Sequence, residues 1–208
     1  MINKIKGLFK SIFLKLKNPS CTFSSGASIS RKAILGSNIK FGEKCKVGSN
    51  VFLGDNTIVG AYISLNNVSI GNNCQIESGV RIVGTGKGKI IIGKECYIGV
   101  YNILDNSDNI TIGDFVHIAG PSTALWCHSS AQMCMHSIPL NATERDRYRP
   151  TAPIKIENNV YIGGNCTIYP GIVIGHHSIV APNSAISKNI LPYKMVGGVP
   201  GRIIKELN

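Results

Sequence analysis

An apolar residue returns at every sixth position through most of this chain, and no other feature limits the possible folds as strongly. The clearest run is Ile156, Ile162, Ile168, Ile174, Val180 and Ile186, with small or polar residues between. Helices place apolar residues three and four apart and half-buried strands alternate them, so neither template yields a period of six. Upstream, Phe23, Ile29, Leu35, Phe41, Val47, Leu53, Val59 and Leu65 keep one frame. The frame slips and resumes at Ile70, Ile76 and Ile82, then at Ile92, Ile98 and Leu104, then at Ile112 and Ile118. Gly often follows the apolar residue, as at Gly42, Gly54, Gly93 and Gly163, and the fifth position is small or β-branched, as at Cys45, Thr57, Cys96 and Ser184. Stacked hexads of this kind specify a parallel β-helix, in which each hexad is a short strand closed by a tight corner. The apolar and fifth residues are expected to point inward, with Gly and Asn at corners that require positive φ.

The rest of the chain fits around that coil. Residues 1–18 place Ile2, Ile5, Leu8, Phe9, Ile12, Phe13 and Leu16 at helical spacing among five lysines. Lysines interrupt the apolar run, so it is neither a signal-peptide core nor a membrane span. Two readings stand: a helix capping the open end of the coil, or an interfacial helix on anionic lipid. Residues 19–208 form one β-helix domain, interrupted by short excursions at Gly84–Lys89 and Asn106–Asn109 and by one long break over Ser122–Pro153. The insertion proper covers 129–153 and holds the run Glu144-Arg145-Asp146-Arg147-Tyr148-Arg149. A loop of that length inside a compact repeat points to function or disorder. Pro192 ends the coil, and Arg202–Leu207 reads as a short terminal helix.

The formal net charge of +11 favours an anionic partner: a phosphate-bearing cofactor, an acidic sugar or an anionic membrane surface. Nucleic acid is disfavoured, since no recognised module occurs and the basic residues are not interleaved with aromatics. Of seven cysteines, Cys45, Cys74, Cys96 and Cys166 fall on the inward fifth position, where a thiol acts as a small hydrophobe. The odd count and the absence of CxxC argue against disulfides or a zinc ribbon, and suit a reducing cytoplasm.

The order IGDFVHIAGPSTALWCH, loop, then API-IENNVYIGGNCTIYPGIVIGHHSIVAPNSA and the Gly-Gly-x-Pro tail resembles the hexapeptide-repeat acetyltransferases, sugar and polysaccharide O-acetyltransferase branch, over roughly residues 20–207. The departures are Tyr161 where the family often has Trp, Val199-Pro200-Gly201 where it has Asn-Pro-Ala, and Gly99 where the maltose subgroup has Asn. The resemblance implies a left-handed β-helix, a homotrimer, and acetyl-CoA bound in a groove between subunits, with no metal. It assigns His128 as general base. Gly163, Gly164, Ala181, Lys188, Pro200, Arg202 and Lys205 fall in the cofactor-binding half. Asp105, Trp126, Arg145, Arg147 and Arg149 are the acceptor-side candidates, although Asp105 read by itself is a solvated corner residue, and the three arginines read equally well as a loop paired with Glu144 and Asp146. The implied reaction is acetyl transfer to a sugar hydroxyl of a surface polysaccharide or its precursor, in the cytoplasm or at the inner membrane face. A neutral imidazole suits that proton transfer. His136 is the reserve base. Cys127 beside His128 is a poor nucleophile candidate because neighbours in a strand face opposite sides. Rival readings are N-acetylation of a nucleotide amino sugar, acetylation of an antibiotic, a γ-type carbonic anhydrase using His117, His128 and His136, and a non-catalytic scaffold.

Overall fold

The computed structural model describes residues 17–207. The amphipathic segment 1–18 therefore lies outside the described residues, apart from its last two. What is described is a left-handed parallel β-helix built from strands of two to five residues. Each coil contributes one strand to each of three faces, as the period of six, repeated three times per turn, requires.

The first face is a ten-stranded sheet whose parallel register stacks Phe23, Phe41, Val59, Ile76, Ile98, Ile118, Ile162, Val180 and Val196. The second stacks Leu35, Leu53, Ile70, Ile92, Ile112, Ile156 and Ile174. The third is a three-stranded sheet and a five-stranded sheet end to end; its inward residues include Val47, Leu65, Leu104, Leu125, Ile168 and Ile186. These side chains form one continuous buried core, with Phe23, Leu35 and Ile82 at its edge. Burying each aliphatic side chain removes its surface from water and stabilises the coil by about 1.5–3 kcal/mol. The fifth-position residues Cys45, Thr57, Cys74, Cys96, Cys166 and Ser184 are buried as expected.

The corners differ from expectation in their chemistry. The glycine after each apolar residue does not take positive φ. It is there because the next coil passes too close for a side chain: a Cβ on Gly42 would lie 2.4 Å from the Ala61 nitrogen, and one on Gly163 2.5 Å from that of Pro182. Positive φ falls instead on residues such as Asn38, Asn56 and Asn73. Their side chains form a ladder up the coil, Asn38 donating to Asn56 (3.1 Å), Asn56 to Asn73 (2.9 Å) and Asn73 to Glu95 (2.6 Å).

Two boundaries are corrected. The coil persists past Ser122 through the strand Ala124–Leu125, so the long break begins only after His128. The break carries a short helix, Ala131–Met135, and a single 3₁₀ turn, Arg145–Tyr148. The chain end Arg202–Glu206 is a strand, not a helix, and pairs antiparallel with Lys194–Gly197. The segment is too short to nucleate a helix, while Ile203 and Ile204 favour the extended form and the edge of the first face offers it backbone partners.

Candidate active site

Three excursions leave the coil at one corner, where the third face turns into the second. Residues 84–89 follow the strand Arg81–Val83, residues 106–109 follow Ile103–Asp105, and the long insertion follows Ala124–Leu125. Those three strands are neighbours in one sheet, so the excursions stack on one another. This corner holds His128.

The backbone peels away from the coil just before His128. Trp126 still donates its N–H to Ile168 of the next coil. The N–H groups of Cys127 and His128 turn instead to Asp105 Oδ2, at 2.9 and 3.1 Å. The same oxygen lies 2.5 Å from His128 Nδ1. The Ser107 N–H donates to Asp105 Oδ1 at 3.0 Å, and Ser107 Oγ lies 3.2 Å from Nδ1. The Asp105 side chain is fully buried and that of His128 is 17% exposed. Burial of a carboxylate demands such partners. Asp105 is therefore neither a solvated corner residue nor open to an acceptor: it is the group that orients His128.

On the other side of the ring, Arg149 Nη2 lies 2.7 Å from His128 Nε2. A guanidinium can only donate, so Nε2 accepts and the imidazole proton sits on Nδ1, facing Asp105. The insertion brings Arg149 there by returning antiparallel to the peeled segment: His128 bridges Thr151, Ala152 N–H donates to the Cys127 carbonyl (2.9 Å) and Thr151 Oγ1 donates to Asp108 (3.1 Å). Trp126 stands edge-on to the His128 ring with centroids 6.2 Å apart. Arg145 instead donates to the Leu140 carbonyl and pairs with Asp146, and Arg147 is exposed. Of the three arginines only Arg149 reaches the base. Lys87, from the first excursion, donates to Asp146 at 3.3 Å and holds that carboxyl below the usual range.

The remaining histidines have other neighbours. His117 packs between Tyr97 and Tyr161 on the outer side of the first face, and His136 packs on Tyr148. Cys127 points into the core, where burial pushes its thiol up to about 12. It carries no thiolate at neutral pH and is no nucleophile.

Among the cofactor-side residues, Gly163 and Gly164 pack tightly at one corner, where the Gly163 carbonyl accepts from Thr123 Oγ1 at 2.8 Å. Ala181 sits one coil on, its N–H donating to the Val196 carbonyl. Lys188 and Arg202 line a groove of about 510 Å³ near the chain end, with Lys194 and the apolar Ile186, Ile190 and Val196. Lys194 is paired with Glu206 at 2.5 Å. Pro200 and Lys205 do not line that groove. Sequence reasoning missed Ser107 and Lys87, which lie on two other excursions and meet His128's neighbours only once the coils stack.

The family described as bacterial transferase hexapeptide (six repeats) matches residues 153–188, and that described as hexapeptide repeat of succinyl-transferase matches residues 44–83. The galactoside O-acetyltransferase of Escherichia coli (strain K12) is 32% identical over 140 residues, 67% of this chain and 64% of that one. A chloramphenicol acetyltransferase of Klebsiella aerogenes is 29% identical over 112 residues, 49% of this chain and 53% of that one. A protein of Escherichia coli (strain K12) assigned, by name only, as a lipopolysaccharide biosynthesis O-acetyl transferase is 27% identical over 145 residues, 68% of this chain and 73% of that one. The chain thus spans less than two thirds of the first two relatives. Among solved structures, the UDP-N-acetylglucosamine acyltransferase from Campylobacter jejuni shares the fold, with a TM-score of 0.60 at 15% identity, over 89% of this chain and 75% of that one. Hexapeptide matches on two separate parts of the coil, together with acetyltransferase relatives, make this chain a member of the hexapeptide-repeat acetyltransferase family.

Proposed function

We propose that the protein is an acetyl-CoA-dependent O-acetyltransferase acting on a sugar hydroxyl of a surface polysaccharide or its precursor. The observation that carries this reading is His128 held by buried Asp105 through Nδ1, with its Nε2 lone pair on the opposite side of the ring, facing Arg149. A neutral imidazole so oriented is a general base matched to neutral pH.

Acetyl-CoA supplies an acetyl group activated as a thioester. The groove near the chain end fits such a molecule: Lys188 and Arg202 offer cations for its phosphates, and the apolar lining suits its uncharged parts. His128 Nε2 takes the proton of the acceptor hydroxyl as that oxygen bonds to the acetyl carbon. Asp105 keeps the ring in position and balances the charge it gains. Nε2–H then returns the proton to the departing sulfur, so the chain begins and ends each turnover unchanged. No cysteine takes part. The sugar acceptor is supported by the likeness to the galactoside and lipopolysaccharide enzymes. The likeness to a chloramphenicol enzyme favours, as a second reading, an antibiotic hydroxyl.

Assembly as a homotrimer, with the cofactor groove shared between neighbours, belongs to the same proposal. Exposed Phe115, Tyr161 and Tyr169 would gain cover in such an assembly. The test is thiol release from acetyl-CoA by the purified protein against sugars, nucleotide sugars, polysaccharides and chloramphenicol. Turnover with a sugar-bearing acceptor supports the proposal, and turnover with chloramphenicol alone replaces it with the second reading.

A further inference from the structure

The contact between Arg149 and His128 puts a cation on the very nitrogen that must receive the acceptor's proton. While Arg149 Nη2 donates to Nε2 at 2.7 Å, the lone pair is occupied. We propose that Arg149 is a gate on the base: it caps Nε2 until a carboxylate on the acceptor draws its guanidinium away, so that the enzyme selects acidic sugars. This inference rests on His128 being the base.

The place to which the guanidinium would move lies beside it. A cleft of about 180 Å³ is lined by Thr85, Lys87, Ser107, Asp146, Arg149 and Thr151. It is built from all three excursions, so its walls exist only at this corner of the coil. Ser107 links it to the base, since its Oγ lies 3.2 Å from His128 Nδ1. The volume equals roughly six waters, enough for a carboxylate and the ring carbons beside it. Asp146 pairs with Lys87 at 3.3 Å, which leaves Arg149 as the cleft's excess positive charge. One excess charge suits a carboxylate monoanion better than a phosphate monoester, which carries nearly two charges. A guanidinium also bonds a carboxylate through two parallel N–H groups, and such charge-assisted pairs are stronger than a bond to a neutral ring nitrogen. The exchange is therefore downhill for an acidic acceptor and has no counterpart for a neutral one. Arg149 sits on a surface insertion, outside the buried core, so it is free to move without disturbing the coil.

The test uses the full-length protein and follows thiol release from acetyl-CoA, which counts transfer to sugar and to water alike. Wild type, Arg149→Ala, Arg149→Lys and His128→Ala are compared with no sugar, with methyl glucuronide and with uncharged methyl glucoside. Wild type should be slow alone, accelerated by the glucuronide and indifferent to the glucoside. Arg149→Ala should be about tenfold faster than wild type without sugar, the equivalent of one lost hydrogen bond to a charged group, and should not respond to the glucuronide. Arg149→Lys should fall between the two. Arg149→Ala no faster than wild type, with an unchanged circular-dichroism melting curve, overturns the gate, as does equal response of wild type to the two sugars. With the glucuronide, His128→Ala should be about 10²–10⁴-fold slower than wild type; if it instead matches wild type, the assignment of the base has failed rather than the gate.

Discussion

Asp105 accepts from the N–H groups of Ser107, Cys127 and His128 as well as from the His128 ring. Asp105→Asn keeps the shape but sets an amide donor against a backbone donor or against the ring. We expect kcat for acetyl transfer to fall by about a hundredfold or more and stability to fall by about 1–3 kcal/mol. Steady-state kinetics and urea unfolding measure the two; near-normal turnover would remove Asp105 from the mechanism. The cysteines give a second test. Burial pushes Cys45 up to about 11 and Cys127 up to about 12, while Cys134 lies exposed on the insertion. A neutral thiol reagent applied to native protein should therefore label Cys134 alone, and Cys134→Ser should be unlabelled and fully active. Peptide mapping reads the site; labelling at Cys127 would contradict its placement in the core. The inert Cys127 was legible in the sequence, because neighbours in an extended segment face opposite sides, whereas His128 was singled out by the family resemblance alone. The role of Asp105 was not legible: it precedes a short polar excursion that looks like any solvated corner, and its partner is 23 residues on.

At the scale of elements, the ladders carry the stability. Ile162 is fully buried between Ile118 and Val180 of the adjoining coils. Ile162→Ala should cost about 2–5 kcal/mol, the transfer term plus the cavity. Ile34 lies on the outward side of the second face and is 63% exposed, so Ile34→Ala should change stability by less than about 0.5 kcal/mol. Denaturant midpoints with unchanged slopes report both, and equal costs would mean the inward side has been misassigned. The period of six exposed these ladders directly, since each inward position repeats once per strand. The corner glycines were legible by position and misread by cause. Spacing between coils, not φ, excludes a side chain there, and a single sequence does not display how closely the next coil passes. The terminal strand was misread because Arg202–Glu206 has no period of its own and takes its form from the sheet edge it joins.

Across the whole molecule, each of three consecutive coils inserts residues at one corner, and all three contribute to the cleft beside His128. In sequence these appear as separate slips in the repeat, and the residues they bring to the base lie 21 or more positions from it; only stacking makes them one site. The net charge of +11 acts at the same scale. The basic segment 1–18 is proposed to hold the enzyme at an anionic membrane face, near a lipid-linked acceptor. Full-length protein should sediment with phosphatidylglycerol vesicles at low salt and a form lacking residues 1–18 should not; equal sedimentation would remove the membrane role. The central claim is that His128, oriented by Asp105, is the base for acetyl transfer. The most direct measurement is kcat/KM for thiol release with the preferred acceptor, in wild type and in His128→Ala of unchanged melting temperature. A fall of about 10²–10⁴-fold is predicted, and turnover within a factor of about three of wild type, a barrier difference under about 1 kcal/mol, would contradict the account.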